Sequence, residues 1–349
     1  MRYYRKAMRL MQFAWCLVVA MFVSSARFAP PSAHTPVSRV TFTQDIGPLL
    51  QRRCAGCHRD NGFAPMPLQT YADARKAAQD IREEVQEGRM PPWPAARGFG
   101  DHANDRSLTA LEISLITTWT MGLTPLGPDL RAPGAEAPPR PDVTMPSAPS
   151  GDRAGVHVVN PASRRDRWIV GWAFQPANPN AQRAVIATDA GAYIGSWVPP
   201  EGTIRYPAGA GVRLPAGARI VLDIQHRKVA EESGGVAAAG GTLSLYLADS
   251  PRSELQHRIL PCGSTRIDAA SDVVGVEADA ASAGDSIEVV ATRPDGSVEP
   301  LCLIPRFQPG YRPMLRLRRP VDLPAGSTID VRSTAEGCSA GIEFVVRGR

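Results

Sequence analysis

Proline divides this chain in two. Eight prolines fall between Pro125 and Ser150, at positions 125, 128, 133, 138, 139, 141, 146 and 149. No helix or central strand tolerates that spacing, because proline lacks an N–H and fixes φ. Residues 125–154 therefore read as an extended, semi-rigid spacer. The patterns on its two sides differ. Before it, residues 40–124 read as helical. Tyr71 to Gly88 sets Ala74, Ala78, Ile81 and Val85 on one face at helical spacing, with Gly88 as the stop. Thr109 and Glu112 form a capping box ahead of an apolar stripe of Leu111, Leu115, Ile116 and Trp119. After it come short β-type runs between Gly and Pro turns: Arg167–Phe174, Arg219–Gln225, Thr242–Ala248, Ser286–Thr292 and Thr328–Ser333. The string Leu214-Pro-Ala-Gly-Ala-Arg-Ile220 recurs as Leu323-Pro-Ala-Gly-Ser-Thr-Ile329. That repeat predicts two related β-sandwich, jelly-roll-like subdomains, at 155–250 and 251–349. The expected fold is thus multidomain, a small all-α domain followed by an all-β region.

The first 26 residues read as an export signal. Arg2, Arg5, Lys6 and Arg9 precede the apolar run Met11 to Val23, and Ser24 and Ala26 supply small residues for cleavage. The run is short for a bilayer span, which takes roughly 20 residues. The expected location is periplasmic or otherwise exported, with no transmembrane span beyond the signal segment; an uncleaved anchor is the alternative. Residues 27–39 carry no ordered pattern. Without the four signal cations, the formal charge of +5 falls to about +1, so a pI of about 9.0 is no argument for a nucleic-acid partner. In an oxidising compartment, two of Cys262, Cys302 and Cys338 are expected to form a disulfide, and the sequence does not choose the pair.

Cys54-Ala-Gly-Cys57-His58 carries the chemistry. Two thiols at this spacing form thioethers with the two vinyl groups of a c-type haem, and the following histidine reaches the iron. A structural zinc site would need two more Cys or His ligands, and this segment offers only His102. The expectation is one covalent haem c on Cys54 and Cys57, with His58 as an axial ligand. For the other axial position the first candidate is Met90, in Gly88-Arg-Met-Pro-Pro-Trp93. Met66, in Ala64-Pro-Met-Pro67, is the runner-up and His102 the third. A lone methionine is otherwise a core filler.

Val40-Thr-Phe-Thr-Gln-Asp-Ile46, Cys54–His58, Ala64-Pro-Met66, Thr70-Tyr71 and Met90-Pro-Pro-Trp93 together resemble a group of bacterial proteins. In these a small cytochrome c domain is fused to a region like the copper type II, ascorbate-dependent monooxygenases (peptidylglycine and dopamine monooxygenase-like). The resemblance implies Met90 as ligand, because Met-Pro-Pro recurs at that loop. It extends more faintly through Trp168-Ile-Val-Gly-Trp172, Pro176-Ala-Asn-Pro179, Val221-Leu-Asp-Ile-Gln-His226, Val290–Gly296 and Leu323–Thr328, implying two sandwiches that each present a copper site. The copper ligands do not carry over. Gln182-Arg183 stands where the family has a His-His pair, Asp279-Ala-Ala281 where it has His-x-His, and no methionine follows Met314. Only His226 lies near a ligand position, and its register is shifted by one; His157 and His257 share no ligand spacing with it. Type II copper needs several imidazoles, so copper is not expected.

No nucleophile–base arrangement or phosphate-binding glycine loop stands out, and Gly234-Gly and Gly240-Gly read as the flanks of a flexible hairpin tip. Arg316 and Arg318 alternate with Leu315 and Leu317, which reads as the solvated face of a strand; an acidic partner is the alternative. The first functional expectation is an exported mono-haem electron carrier with a redox protein partner and no catalytic residues, its β-region serving for docking or binding. A haem-coupled copper monooxygenase is the second and a haem-based sensor or binding protein the third. Oligomeric state is not legible.

Overall fold

A computed structural model describes residues 39–128, 139–150, 155–227, 240–250, 253–334 and 337–346. The expected export signal and the hairpin tip at 236–239 lie outside the described residues. No helix among the described residues is long and apolar enough to cross a membrane.

Between residues 42 and 121 every regular element is helical. A π-helical turn, Phe42–Ile46, leads into α1 (Gly47–Arg53), followed by α2 (Tyr71–Lys76), α3 (Ala78–Gln86) and α4 (Ala110–Met121). The expected single helix from Tyr71 breaks at Ala77, whose φ of −94° and ψ of 10° end one helix and begin the next. Ala74, Ile81 and Val85 nevertheless share the buried side. The Thr109 capping box forms: Thr109 Oγ1 accepts from Glu112 N at 3.1 Å, and Glu112 Oε2 accepts from Thr109 N at 2.7 Å. Thr70 and Asp73 make a second one. Of the stripe expected on α4, Ile116 and Trp119 are buried, but Leu111 is 69% exposed.

The β-region has two halves. The first contains β1 (Val143–Pro146), β2 (Ala148–Pro149), β3 (Val156–Val159), β4 (Arg167–Pro176) and β5 (Ala181–Thr188). It continues with β6 (Tyr193–Trp197), β7 (Ile204–Arg205), β8 (Ala210–Leu214), β9 (Ile220–His226) and β10 (Gly241–Ala248). The second contains β11 (Ser253–Pro261), β12 (Gly263–Arg266), β13 (Ser271–Asp279) and β14 (Ile287–Thr292). It ends with β15 (Val298–Ile304), β16 (Leu315–Leu323), β17 (Thr328–Ser333) and β18 (Ser339–Val346).

Each half has its own sheet, β2-β3-β9-β5-β6 in the first and β12-β17-β14-β15 in the second. A shared sheet runs through both in the order β1-β10-β4-β8-β11-β18-β13-β16, with β7 pairing β4. The halves meet at the short parallel pairing of β8 with β11. The repeated Leu-Pro-Ala-Gly string explains the likeness of the halves. In each copy it carries the chain from the shared sheet to the private one. Pro215 O accepts from Ala218 N, and Pro324 O from Ser327 N, both at 3.1 Å. Gly217 and Gly326 sit at φ +75° and +88°, a conformation that favours glycine.

The proline-rich stretch is not spacer throughout. β1 and β2 lie within it and pair with β10 and β3. Both end their sheets, where a proline costs no ladder hydrogen bond. The helical segment is stitched to the second half by residues 96–104. Ala96 N donates to Leu303 O and Ala103 N to Arg316 O, both at 2.7 Å. Asn104 bonds Met314 O and Arg316 N, and Trp93 and Ala95 pack against the second sandwich core. Residues Ser38–Arg349 form one compact unit. The disulfide joins Cys262 to Cys338, leaving Cys302 as a buried thiol.

Candidate functional site

Leu49 and Leu50 are 1% exposed and anchor α1, so its end is fixed where Cys54 begins the motif. Cys57 N and His58 N both donate to Cys54 O, at 3.1 and 2.9 Å. The chain then loops back over the motif, with Ala64 N on Cys57 O at 3.2 Å and Leu68 N on His58 O at 2.9 Å. Gly62 is needed in that loop, since a Cβ there would lie 2.3 Å from Cys57 O. The loop also brings Met66 O to 2.9 Å from His58 Nδ1. A carbonyl only accepts, so Nδ1 carries the proton and Nε2 keeps its lone pair for another partner.

Cys54, Cys57, His58 and Met90 line one cavity of about 270 Å³. Val85 and Pro91 add apolar wall from the helical segment, and Pro199, Pro200 and Tyr311 close it from the β-region. Gly56, inside the motif, faces that second wall: a Cβ on it would stand 2.9 Å from the Pro200 ring. Both thiols are free. Burial, then the neighbouring Cys57, pushes the Cys54 thiol up to about 12, and burial also raises Cys57. Both are therefore protonated at neutral pH. Arg53, Arg106 and Arg227 line the same cavity and supply positive charge.

The three candidates for the second axial position separate. Met90 lines the cavity and is 37% exposed. Met66 packs against the helical core, giving its carbonyl to His58. His102 is buried elsewhere, with Nε2 3.0 Å from Leu301 O and its own backbone bridged to Leu317.

At the positions aligned with copper ligands the structure has ion pairs. Arg183 meets Glu277 at 2.5 Å, and Arg312 meets Asp279 at 2.6 Å. His226, at the end of β9, has a buried Nε2 without a hydrogen-bond partner, and His157 has both ring nitrogens in that state. Burial, then the charge of the nearby His226, lowers the His157 pKa. Sequence spacing alone could not pair them, because their strands meet only in the folded sheet. Among the described residues no group of three or more His, Cys, Asp or Glu is arranged to hold a metal ion.

A buried charge cluster is the feature that sequence reasoning missed. Arg316, expected on a solvated face, lies instead 3.5 Å from Glu343 and 3.6 Å from Glu201. Beside them, Glu277 takes Arg183 and the Ser196 hydroxyl, each at 2.5 Å. The signal was present in β18 as Glu343 within an apolar run, since a charge there needs a buried partner.

No protein-family model matches the chain, and no curated protein does. Solved structures similar to it include the turret protein A223 of Sulfolobus turreted icosahedral virus, at 14% identity over 58% of this chain and 97% of that one, with a TM-score of 0.17. The infectious bursal disease virus VP2 subviral particle aligns at 12% identity over 54% of this chain and 59% of its own, TM-score 0.18. A Paenibacillus xanthan lyase aligns at 10% over 59% and 25%, TM-score 0.18. Scores this low carry no argument about function.

Proposed function

We propose that this chain is an exported mono-haem c-type cytochrome that carries single electrons, with Cys54 and Cys57 as the thioether residues, His58 and Met90 as axial ligands, and a redox protein as partner. The observation that carries the reading is the convergence on one apolar cavity of two free thiols, a methionine and a histidine whose Nδ1 is held by Met66 O. This donor set fits the group. The two free thiols can form thioethers with vinyl groups, and a histidine fixed through Nδ1 offers Nε2 to iron. A haem held there supplies one-electron chemistry, and a methionine opposite histidine raises its potential relative to two histidines.

The protein's own part is binding, orientation and exclusion of water. Met66 O fixes the imidazole plane. Pro91, Pro199 and Pro200 give the cavity apolar walls, and low polarity there would favour the less charged reduced form. The monooxygenase-like β-region, in this reading, serves as the second wall of the haem site and as a docking surface.

The test is export in a host with cytochrome c maturation, followed by elemental analysis and spectra. One iron per chain without zinc is expected. Met90→Ala should abolish the methionine–iron absorption band while covalent haem remains; an unchanged band would remove Met90 from the assignment. The pairing of His157 with His226 favours a second reading, a haem-coupled copper oxidoreductase. Stoichiometric copper, lost in His226→Ala, would make that reading the better one.

A further inference from the structure

Next to the haem cavity lies a second one of about 220 Å³, and the two share Arg106, Pro199 and Tyr311. Glu201 and Arg316 line this second cavity. The Glu201 side chain is 9% exposed and that of Glu343 3%. Glu201 Oε1, Glu343 Oε1, Arg316 Nε and Arg316 Nη2 are buried without hydrogen-bond partners. With Glu277 and Arg183 the ion-paired groups are three carboxyls and two guanidiniums, and Arg106, on the wall of the same cavity, adds a third positive charge. Glu201 and Glu343 each keep one carboxyl oxygen buried without a hydrogen bond, where a full negative charge is costly.

We propose that the Glu201–Arg316–Glu343 unit is a proton-binding site that takes up one proton when the haem accepts one electron, making this a proton-coupled electron carrier. The inference rests on the haem reading above. In the coupled step a protein one-electron donor is oxidised and ferric iron becomes ferrous. Water supplies a proton that forms one O–H bond on a cluster carboxylate. The added electron makes the neighbourhood more negative, and the added proton cancels it.

Geometry supports the coupling. Glu201 follows directly on the Pro199-Pro200 wall, with its backbone oxygen accepting from Trp197 Nε1 at 2.9 Å. Arg106 and Tyr311 each interact electrostatically with both Cys57 and Glu201, and so stand between the two sites. Burial raises Glu201 to about 7 against the opposing pull of Arg316, and burial raises Glu343 as well. The groups facing this unit are Arg106 and Tyr311 from connecting loops, Tyr193 from β6, Tyr206, Glu277 from β13 and Arg183 from β5. His257 of β11 stacks on Tyr193 at 3.9 Å, and burial lowers its pKa, so it is neutral at and above neutral pH. The tyrosines are raised by burial and stay protonated. The carboxyls are thus the groups that exchange a proton near neutrality.

The experiment is potentiometric titration of the holoprotein from about pH 5 to about pH 8. The midpoint potential should fall as pH rises above neutrality, by up to ~59 mV per unit for one proton per electron. Glu201→Gln should flatten that slope while its absorption spectrum stays that of the wild type. A flat wild-type profile, or an equal slope in Glu201→Gln, overturns the proposal. Redox-difference infrared spectra of the wild type give an independent readout, since reduction should increase a carboxylic-acid carbonyl band. Its absence overturns the proposal even if the variant fails to fold. A protein without haem, seen at once in its absorption spectrum, would instead defeat the cytochrome reading.

Discussion

The helical segment and the β-region differ in how much interior each possesses. Among the described residues the helical core has 11 buried members, against 21 and 22 in the two sandwich cores. A core of that size is marginal on its own. The helical segment draws support from elsewhere, through the residues that stitch it to β15 and β16, the contact of Phe63 with Trp197 at 5.5 Å and, in the proposed function, the haem. The β-region is self-sufficient in apolar packing and bears its strain in buried charge. In the proposed function one part is completed by a ligand, whereas the other holds a network of buried ions.

That contrast can be broken experimentally. The largest effect is expected from Cys54→Ser with Cys57→Ser: complete loss of covalent haem. Hydrogen exchange should then show protection lost from α1 to α4 and kept in the sandwich cores. Equal loss in both regions would mean that the β-region also depends on the haem.

Arg316→Ala should come next. It leaves Glu201 and Glu343 without their shared cation, and removing one partner of a buried ionic pair costs about 3–5 kcal/mol. Denaturant unfolding measures it; a change near zero would mean the cluster is not buried as described.

Acid should act through the buried histidines, two in the β-region and His102 in the stretch that joins the helical segment to it, and on the cluster in the opposite sense. Burial lowers His102, His157 and His257. Their contribution to stability is complete above the unfolded histidine value of about 6.5 and is lost as pH falls below it. Glu201 is raised from 4.5 to about 7, so its contribution is complete below 4.5 and is lost as pH rises toward about 7. Thermal melts of Glu201→Gln should therefore lack the loss on the neutral side and keep the acid-side loss.

Thr109→Ala should give the smallest change, ~1 kcal/mol from one helix cap, confined to α4.

What the sequence made legible was local. The Thr109–Glu112 cap, the strand Thr328–Ser333 and the Leu-Pro-Ala-Gly turns depend on neighbours within a few residues, and all are found where the pattern put them. The clustering of Cys54, Cys57 and His58 was legible for the same reason. What escaped was set by distant chain. Arg316 alternates with leucines exactly as a solvated residue would, and only Glu201 and Glu343, from other elements, draw it inside. Pro146 and Pro149 argue against strands until the edges of two sheets make room for them. The β-region's share of the cavity wall, Pro199 and Pro200, carries no chemical signature at all; Gly56 beneath Pro200 is its counterpart in the motif.

The central claim is covalent haem on Cys54 and Cys57, and intact-mass spectrometry of the denatured protein tests it most directly. The protein should come from a host with cytochrome c maturation. The account predicts a chain heavier by one haem, with the addition mapping to the peptide containing Cys54–His58. A chain at its apoprotein mass, with both thiols open to alkylation, would contradict it.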